Sequence, residues 1–276
     1  MLTIPAPRVF WAISKKAEVS TRHLARALTP PIAQTVQRVA DAVEIGGEGM
    51  DVIAAAEVAL EQEFSEIKAR WAFPLAIDAY KLAGTLLGNK TFIHTYGNPL
   101  VLPVAAKAIQ IDAEQFGSDW LLAKQMEPAL GKWIEETSRY EAAATANAME
   151  DIVKAGIQQG APHTAIAQTL IEHGAALTKQ RATLMARTTT NWTYNEGAIT
   201  QYEATGFSAF EWSATDDDST CEFCMAMDGK TFGLRTTIVG KGDSVEGLEG
   251  GTYKSGVDVQ HSPLHPHCRC TVLPAQ

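Results

Sequence analysis

Cysteine is missing from the first 220 residues of this 276-residue chain, which excludes a disulfide framework or a thiol-based site from most of its length. Long apolar runs are missing too. The longest uncharged stretch worth testing, residues 91–106, is interrupted by His94, Gly97, Asn98, Pro99 and Pro103, and falls short of the roughly 20 apolar residues of a membrane-spanning helix. Pro5, Pro7 and Arg8 break any apolar segment at the N-terminus, so no signal peptide is expected. Basic residues are outnumbered 23 to 32, giving a net charge of −9. That balance disfavours tight general binding to nucleic acid, where Lys and Arg on phosphates supply most of the affinity.

Catalytic signatures are also absent. The chain has no H-E-x-x-H of a zinc protease, no phosphate loop, no recognisable nucleophile motif, and no H-x-E ahead of its first cysteine as a zinc deaminase requires. Asp216-Asp217-Asp218 lacks the spaced ligands and the glycine of a calcium loop, and reads as a solvated acidic turn able to hydrogen-bond neighbouring amides. No catalytic or cofactor-binding residue is therefore assigned, and a non-enzymatic role is expected.

The charge that is present is uneven. Residues 1–40 hold Arg8, Lys15, Lys16, Arg22, Arg26 and Arg38 against Glu18 alone, a balance of +5, whereas residues 41–70 have eight acids against Lys68 and Arg70, a balance of −6. The favoured reading of the first segment is a solvated helix face neutralised by the second, with contact to DNA or an acidic partner as the alternative.

Residues 30–206 read mostly as helix. Ile32, Val36, Val39 and Val43 recur at helical spacing up to Gly46-Gly47. A longer pattern over 51–87 includes Pro74, expected to kink or divide it. Residues 88–103 read as a loop, with helix resuming from Val104 and breaks expected near Gly117 and Gly131. Ser138 and Glu141 have capping-box spacing, and Gly160 followed by Pro162 forms a stop signal. Two further helices are expected over 162–172 and 178–205, ended by Gly206, with Trp192 and Tyr194 as core rather than a base-stacking platform.

After Gly206 the pattern changes to alternation. Residues 207–215 place Phe210 and Trp212 on one parity of a strand, which Thr231-Phe232 and Thr271-Val272-Leu273 are candidates to pair. Six glycines among residues 240–256 suggest an exposed loop.

All four cysteines lie in Cys221-Glu222-Phe223-Cys224 and His265-Pro266-His267-Cys268-Arg269-Cys270. A C-x-x-C knuckle puts two thiolates on one turn, and an extended C-x-C points both side chains to one face. Two such clusters can satisfy the tetrahedral N/S preference of zinc and close the chain between them. Cys221, Cys224, His265, Cys268 and Cys270 are the candidate ligands. His265 and His267 compete with one of the last two cysteines, so the fourth ligand stays open; two disulfides or four free thiols are the alternative. A closed site leaves no position for an activated water, so a bound zinc would act on stability.

These residues carry a resemblance. Ala186-Arg187-Thr188 with Asn195, Gly206, Trp212-Ser213-Ala214-Thr215 with Asp217, the knuckle with Thr220 before it, Met227-Asp228-Gly229-Lys230 and the His265–Cys270 run resemble, in order and spacing, the Mu F-like minor head (head morphogenesis) proteins of tailed bacteriophages. The chain departs from that pattern at Thr189, where the family commonly has Glu, at Ser219, often Arg, and at Pro263-Leu264, often Pro-Pro.

The resemblance implies a minor head protein of the virion, made in the host cytoplasm and acting at the portal vertex or capsid interior in assembly, genome packaging or DNA delivery. It implies the portal protein as partner, with the major capsid or scaffold protein as further partners; the charge of residues 1–40 adds weak contact with phage DNA as an expectation, and the lack of a long apolar run adds no membrane. The expected fold is α+β and mostly α: a helical region 1–137, helices 138–206 leading into the module, and a zinc-clamped module with short strands, 207–276. The competing readings are a phage-delivered effector enzyme within 1–137, where His94 or Asp112 would be tested, and a DNA-binding protein using residues 1–40 with Lys241 and Lys254.

Overall fold

The structure is a computed structural model, and it describes residues 6–45, 50–86, 119–215 and 217–275. Four long helices come first: α1 (Ala6–Glu44), α2 (Met50–Leu86), α3 (Trp120–Gln158) and α4 (His163–Ala204). Strand β1 (Ala209–Ser213), helix α5 (Glu222–Met227), β2 (Thr231–Gly233), β3 (Ser244–Glu246), β4 (Thr252–Lys254) and β5 (Thr271–Ala275) follow. The fold class is α+β with helix predominating. The loop expected over 88–103, the break near Gly117, and His94 and Asp112 lie outside the described residues.

The helices are longer than the sequence suggested. α1 runs through Pro30-Pro31 because the apolar stripe Leu24, Leu28, Ile32 keeps its four-residue spacing across the prolines and is fully buried. Pro74 does not divide α2, nor does Gly131 divide α3. Ser138 is buried inside α3 rather than capping a helix. The two helices expected over 162–205 are one, because the glycine between them is a packing position. A Cβ on Gly174 would lie 2.3 Å from Val36 Cγ1, so its bare backbone admits the α1 side chain. The expected stops do hold. Gly160 (φ 67°) and Gly206 (φ 86°) adopt the left-handed conformation, with Ala161 N donating to Gly156 O and Phe207 N to Tyr202 O, both at 3.0 Å, the six-to-one bond of a Schellman stop.

The chain divides into two compact units. One comprises Thr21–Lys68 and Ile134–Ala186. Its core joins Val36, Val39 and Val43 of α1, Ile53 of α2, Met149 and Val153 of α3, and Ile166 and Leu170 of α4. Lys68 is fully buried there, donating to Thr137 Oγ1 at 3.0 Å and ion-paired with Glu141. Burial pushes the Lys68 amine down and the Glu141 carboxyl up, while each partner's charge opposes the shift.

The other unit comprises Met1–Ser20, Ala69–Trp133 and Arg187–Gln276. Its strands form a sheet of order β2-β1-β5, antiparallel throughout, pairing Phe210 with Phe232 and Trp212 with Val272. The two partners expected for the first strand are thus the ones found. Phe210 and Trp212 share one parity and are fully buried with Ile199, Tyr202, Met227, Leu264 and Val272. Trp192 and Tyr194 are buried, and Trp192 stacks on Trp133 at 4.5 Å between ring centroids.

In this unit α4 crosses α2 at Gly197, where a Cβ would sit 2.3 Å from Ala76 O and 2.8 Å from Ala79 Cβ. Backbone cannot give way as a flexible side chain can. Gly197→Ala is expected to destabilise the unit by about 1–3 kcal/mol, despite alanine's better helix propensity. Denaturant unfolding measures it, and an unchanged or raised midpoint would contradict the crossing.

The glycine-rich stretch expected as an exposed loop contains a hairpin instead. β3 pairs with β4 through Ser244–Lys254, Val245–Tyr253 and Glu246–Thr252, and Val245 and Tyr253 pack against the sheet's core. Its tip closes on the knuckle: Glu222 accepts from Glu249 N at 2.8 Å and Gly251 N at 3.2 Å. Its carboxylate stands where a Cβ of Gly247 or Gly251 would be. These glycines serve close approach rather than freedom.

Candidate metal centre

The knuckle opens α5, with Cys221 as N-cap accepting from Cys224 N at 3.4 Å. The second cluster turns tightly. His267 takes a left-handed φ of 68°, and Cys268 N donates to His265 O at 3.1 Å, bringing His265 and Cys268 to the same side as the knuckle. His265 Nε2 lies 2.9 Å from Cys221 Sγ and 3.2 Å from Cys224 Sγ, and Cys224 Sγ lies 3.5 Å from Cys268 Sγ.

Two groups of donor atoms result, Cys221–Cys224–His265 and Cys224–Cys268–Cys270, each within 4.8 Å of one another. Cys224 belongs to both. Zinc–sulfur bonds of about 2.3 Å in a tetrahedron put neighbouring sulfurs about 3.8 Å apart, so these donors, slightly closer than that, need move apart by only a few tenths of an ångström to surround an ion. All five candidate residues are thereby brought together, and either group could hold a metal ion. His267 is placed elsewhere, with Nδ1 3.4 Å from Arg187 Nη1. The four cysteines form no disulfide, which leaves a metal site and four free thiols as the two readings.

The electrostatics of the cluster favour a cation. Hydrogen bonding to Cys268 and Cys270, with burial, pushes the Cys224 thiol far up, and the same Cys224 contact holds Cys268 well below the ordinary thiol range. Crowded sulfurs cannot all ionise unaided. A metal ion removes that conflict, because each ligand binds as thiolate.

The ligand segment is held from α4 by residues one turn apart. Asn191 donates to Cys268 O at 2.9 Å. Asn195 donates to Cys270 O at 3.3 Å and accepts from Val272 N at 3.1 Å. Ser262 Oγ donates to Cys270 O at 2.6 Å, and Tyr202 OH to Val272 O at 3.1 Å. Polar pairing thus runs from α4 to the second ligand segment.

Asp217 joins the two clusters from outside. Its carboxylate accepts from Ser219 N at 2.9 Å and from Thr220, just before Cys221, and pairs with Arg269 between Cys268 and Cys270. Hydrogen bonds from Arg269 lower its pKa to about 2. Partners behind metal ligands commonly contribute 10–100-fold to affinity. Asp217→Ala is therefore expected to weaken metal binding by roughly 10-fold or more, read by competition with a chromogenic chelator. Unchanged affinity would reduce the pair to surface decoration.

Sequence reasoning missed a second buried constellation beside this one. Glu196 on α4 accepts from Arg235 Nη1 at 2.5 Å and from Thr200 Oγ1 at 3.2 Å, and lies 3.1 Å from His261 Nε2. His261 Nδ1 donates to Ser262 O at 2.7 Å, and its ring leans on Trp192 with centroids 4.8 Å apart. Burial alone would raise the Glu196 carboxyl, but His261 and Arg235 outweigh it and hold it ionised. No local signal marks these residues, which are far apart in the chain.

The ligand clusters, the β1 strand and the helix that holds them fall within one family match. Residues 147–273 match the family described as phage Mu protein F like protein. The chain carries a phage Mu F-like domain. All five candidate ligands, Asn191, Asn195, Asp217 and the Glu196 constellation lie inside the Mu F-like domain, which is a domain of phage head-related proteins. Comparison of the whole chain with curated proteins and with solved structures finds no match. Among the described residues, no helix is long and apolar enough to cross a membrane.

Proposed function

We propose that the chain is a minor head protein acting in head morphogenesis, at the portal vertex or capsid interior, in assembly, genome packaging or DNA delivery. In this reading the Mu F-like domain is a zinc-clamped docking unit and the protein is not an enzyme. The observation that carries it is the donor cluster inside the Mu F-like match. Thiolates and an imidazole are a donor set suited to zinc, and four of them fill a tetrahedron, leaving no open position for substrate or water. The portal protein is the proposed partner, with the major capsid or scaffold protein beside it and phage DNA weakly through residues 1–40.

The test is composition of the particle. Heads purified from the phage that encodes the chain should contain it, by mass spectrometry, at a few to a dozen or so copies per portal, and the purified chain should carry zinc by elemental analysis. Absence from heads, with the protein free in the lysate, would overturn the assembly reading; a zinc-free, fully folded chain would overturn the clamp.

A further inference from the structure

The unit of Thr21–Lys68 and Ile134–Ala186 presents two surfaces of opposite character. Between α1 and α4 runs a groove of about 560 Å³. Ala25, Ala33, Gly174 and Ala175 give it a shallow apolar lining, and Arg26 and Lys179 flank it. Among the described residues, none of its lining side chains is acidic and none belongs to α2. The second surface is the outer face of α2. Ala54, Ala55 and Val58 lie on it at helical spacing, exposed, between Asp51 at one end and Glu66 at the other. Val58 is 71% exposed.

The surfaces match each other. Ala25, Ala33 and Ala175 leave space beside Val36 and Ile171 for a branched side chain of Val58's size, and the groove's cations meet the acids of the α2 face. Among the described residues, no α2 side chain lines the groove of its own copy, and Val58, Arg26 and Lys179 are exposed.

We infer that the α2 face of one copy docks into the α1/α4 groove of a second copy of this chain. The two surfaces differ, so the contact is head-to-tail. Each added copy keeps one groove and one face, and the series closes into a ring or extends as a filament. Opposite charges at the rim make the association fall with salt.

Sedimentation velocity of the purified full chain over a concentration series tests this without phage particles, so its outcome is independent of the proposed head function. The wild type is expected to associate at low salt and to dissociate toward monomer as NaCl is added. Two variants replace exposed side chains only: R26E/K179E in the groove and V58K/E66K on the face. Each is expected to associate at least about 10-fold more weakly, on the order of 1.4 kcal/mol. An equimolar mixture should recover association, because the native groove of one variant meets the native face of the other and the reversed surfaces are again opposite. Circular dichroism checks that each variant folds, and R26A/K179A serves if reversal disturbs the helices. A wild type that stays monomeric, a variant that associates as the wild type does, or a mixture that fails to recover would overturn the proposal.

Discussion

Cys224→Ser is expected to strip the Mu F-like domain of its metal and to unfold residues 207–276. Cys224 is the ligand common to both donor groups, so no rearrangement among the remaining four recovers a thiolate at its place. In small zinc modules the apparent binding free energy, about 10–16 kcal/mol, is largely folding free energy. The module's own resources are modest. Apart from the five-residue strands β1 and β5, its strands are three residues long, and its core leans on Ile199 and Tyr202 of α4. Most of that energy should therefore be lost. The unit of Thr21–Lys68 and Ile134–Ala186 has its own apolar core and should keep its helical circular dichroism. Limited proteolysis should cut within 207–276 in the variant, and in the wild type after chelation, while the wild type with metal resists. Equal resistance in all three would show the metal site to be dispensable. Cys221→Ser and Cys270→Ser should act in the same direction.

The second large effect is expected at Glu196. Removing its carboxylate by Glu196→Ala leaves the Arg235 guanidinium with only Glu203 and Thr200 as partners, takes away the partner of His261 Nε2, and leaves a void in a buried position. Breaking a fully buried charge pair typically costs about 3–5 kcal/mol, and because Arg235 is 33% exposed and keeps Glu203 the expected loss is smaller, about 1–3 kcal/mol. Glu196 is 1% exposed, whereas the Arg235 left behind reaches water, so His261 bears most of the loss. Glu196→Gln keeps the shape and one acceptor, and should recover part of the difference. Denaturant unfolding of the metal-bound domain measures both. A loss under about 1 kcal/mol for the alanine variant would mean that the carboxylate's desolvation nearly cancels its pairing.

What could be read from the sequence was what acts over short distances. The knuckle and the His265–Cys270 run each bring their ligands together within a few residues, and their metal-binding chemistry is set by residue type, so the cluster could be assembled on paper. The same holds for Gly160 and Gly206, whose left-handed stops are local, and for the alternation of Phe210 and Trp212. Glycine elsewhere misled, because composition does not say whether a missing side chain admits freedom or a neighbour. At Gly174, Gly247 and Gly251 it admits a neighbour, and two expected interruptions became a continuous helix and a hairpin. Proline misled in the other direction: Pro74, expected to kink or divide its segment, sits inside an undivided α2, whose buried stripe outweighs the lost donor. Glu196, Arg235 and His261 had no sequence pattern at all, since their meeting depends on α4 lying against the C-terminal segment. The position of His267, turned toward Arg187 instead of the thiols, likewise follows from one left-handed backbone torsion.

The grip of Glu222 on the hairpin tip bears on how the protein can be labelled. Gly247-Leu248-Glu249-Gly250-Gly251, with its glycines and its protruding Leu248, has the composition usually chosen for inserting an epitope or a fluorophore-coupling peptide. Here the tip's backbone amides are fastened to the residue between Cys221 and Phe223, so a graft at this point would pull directly on the Cys221–Cys224 knuckle.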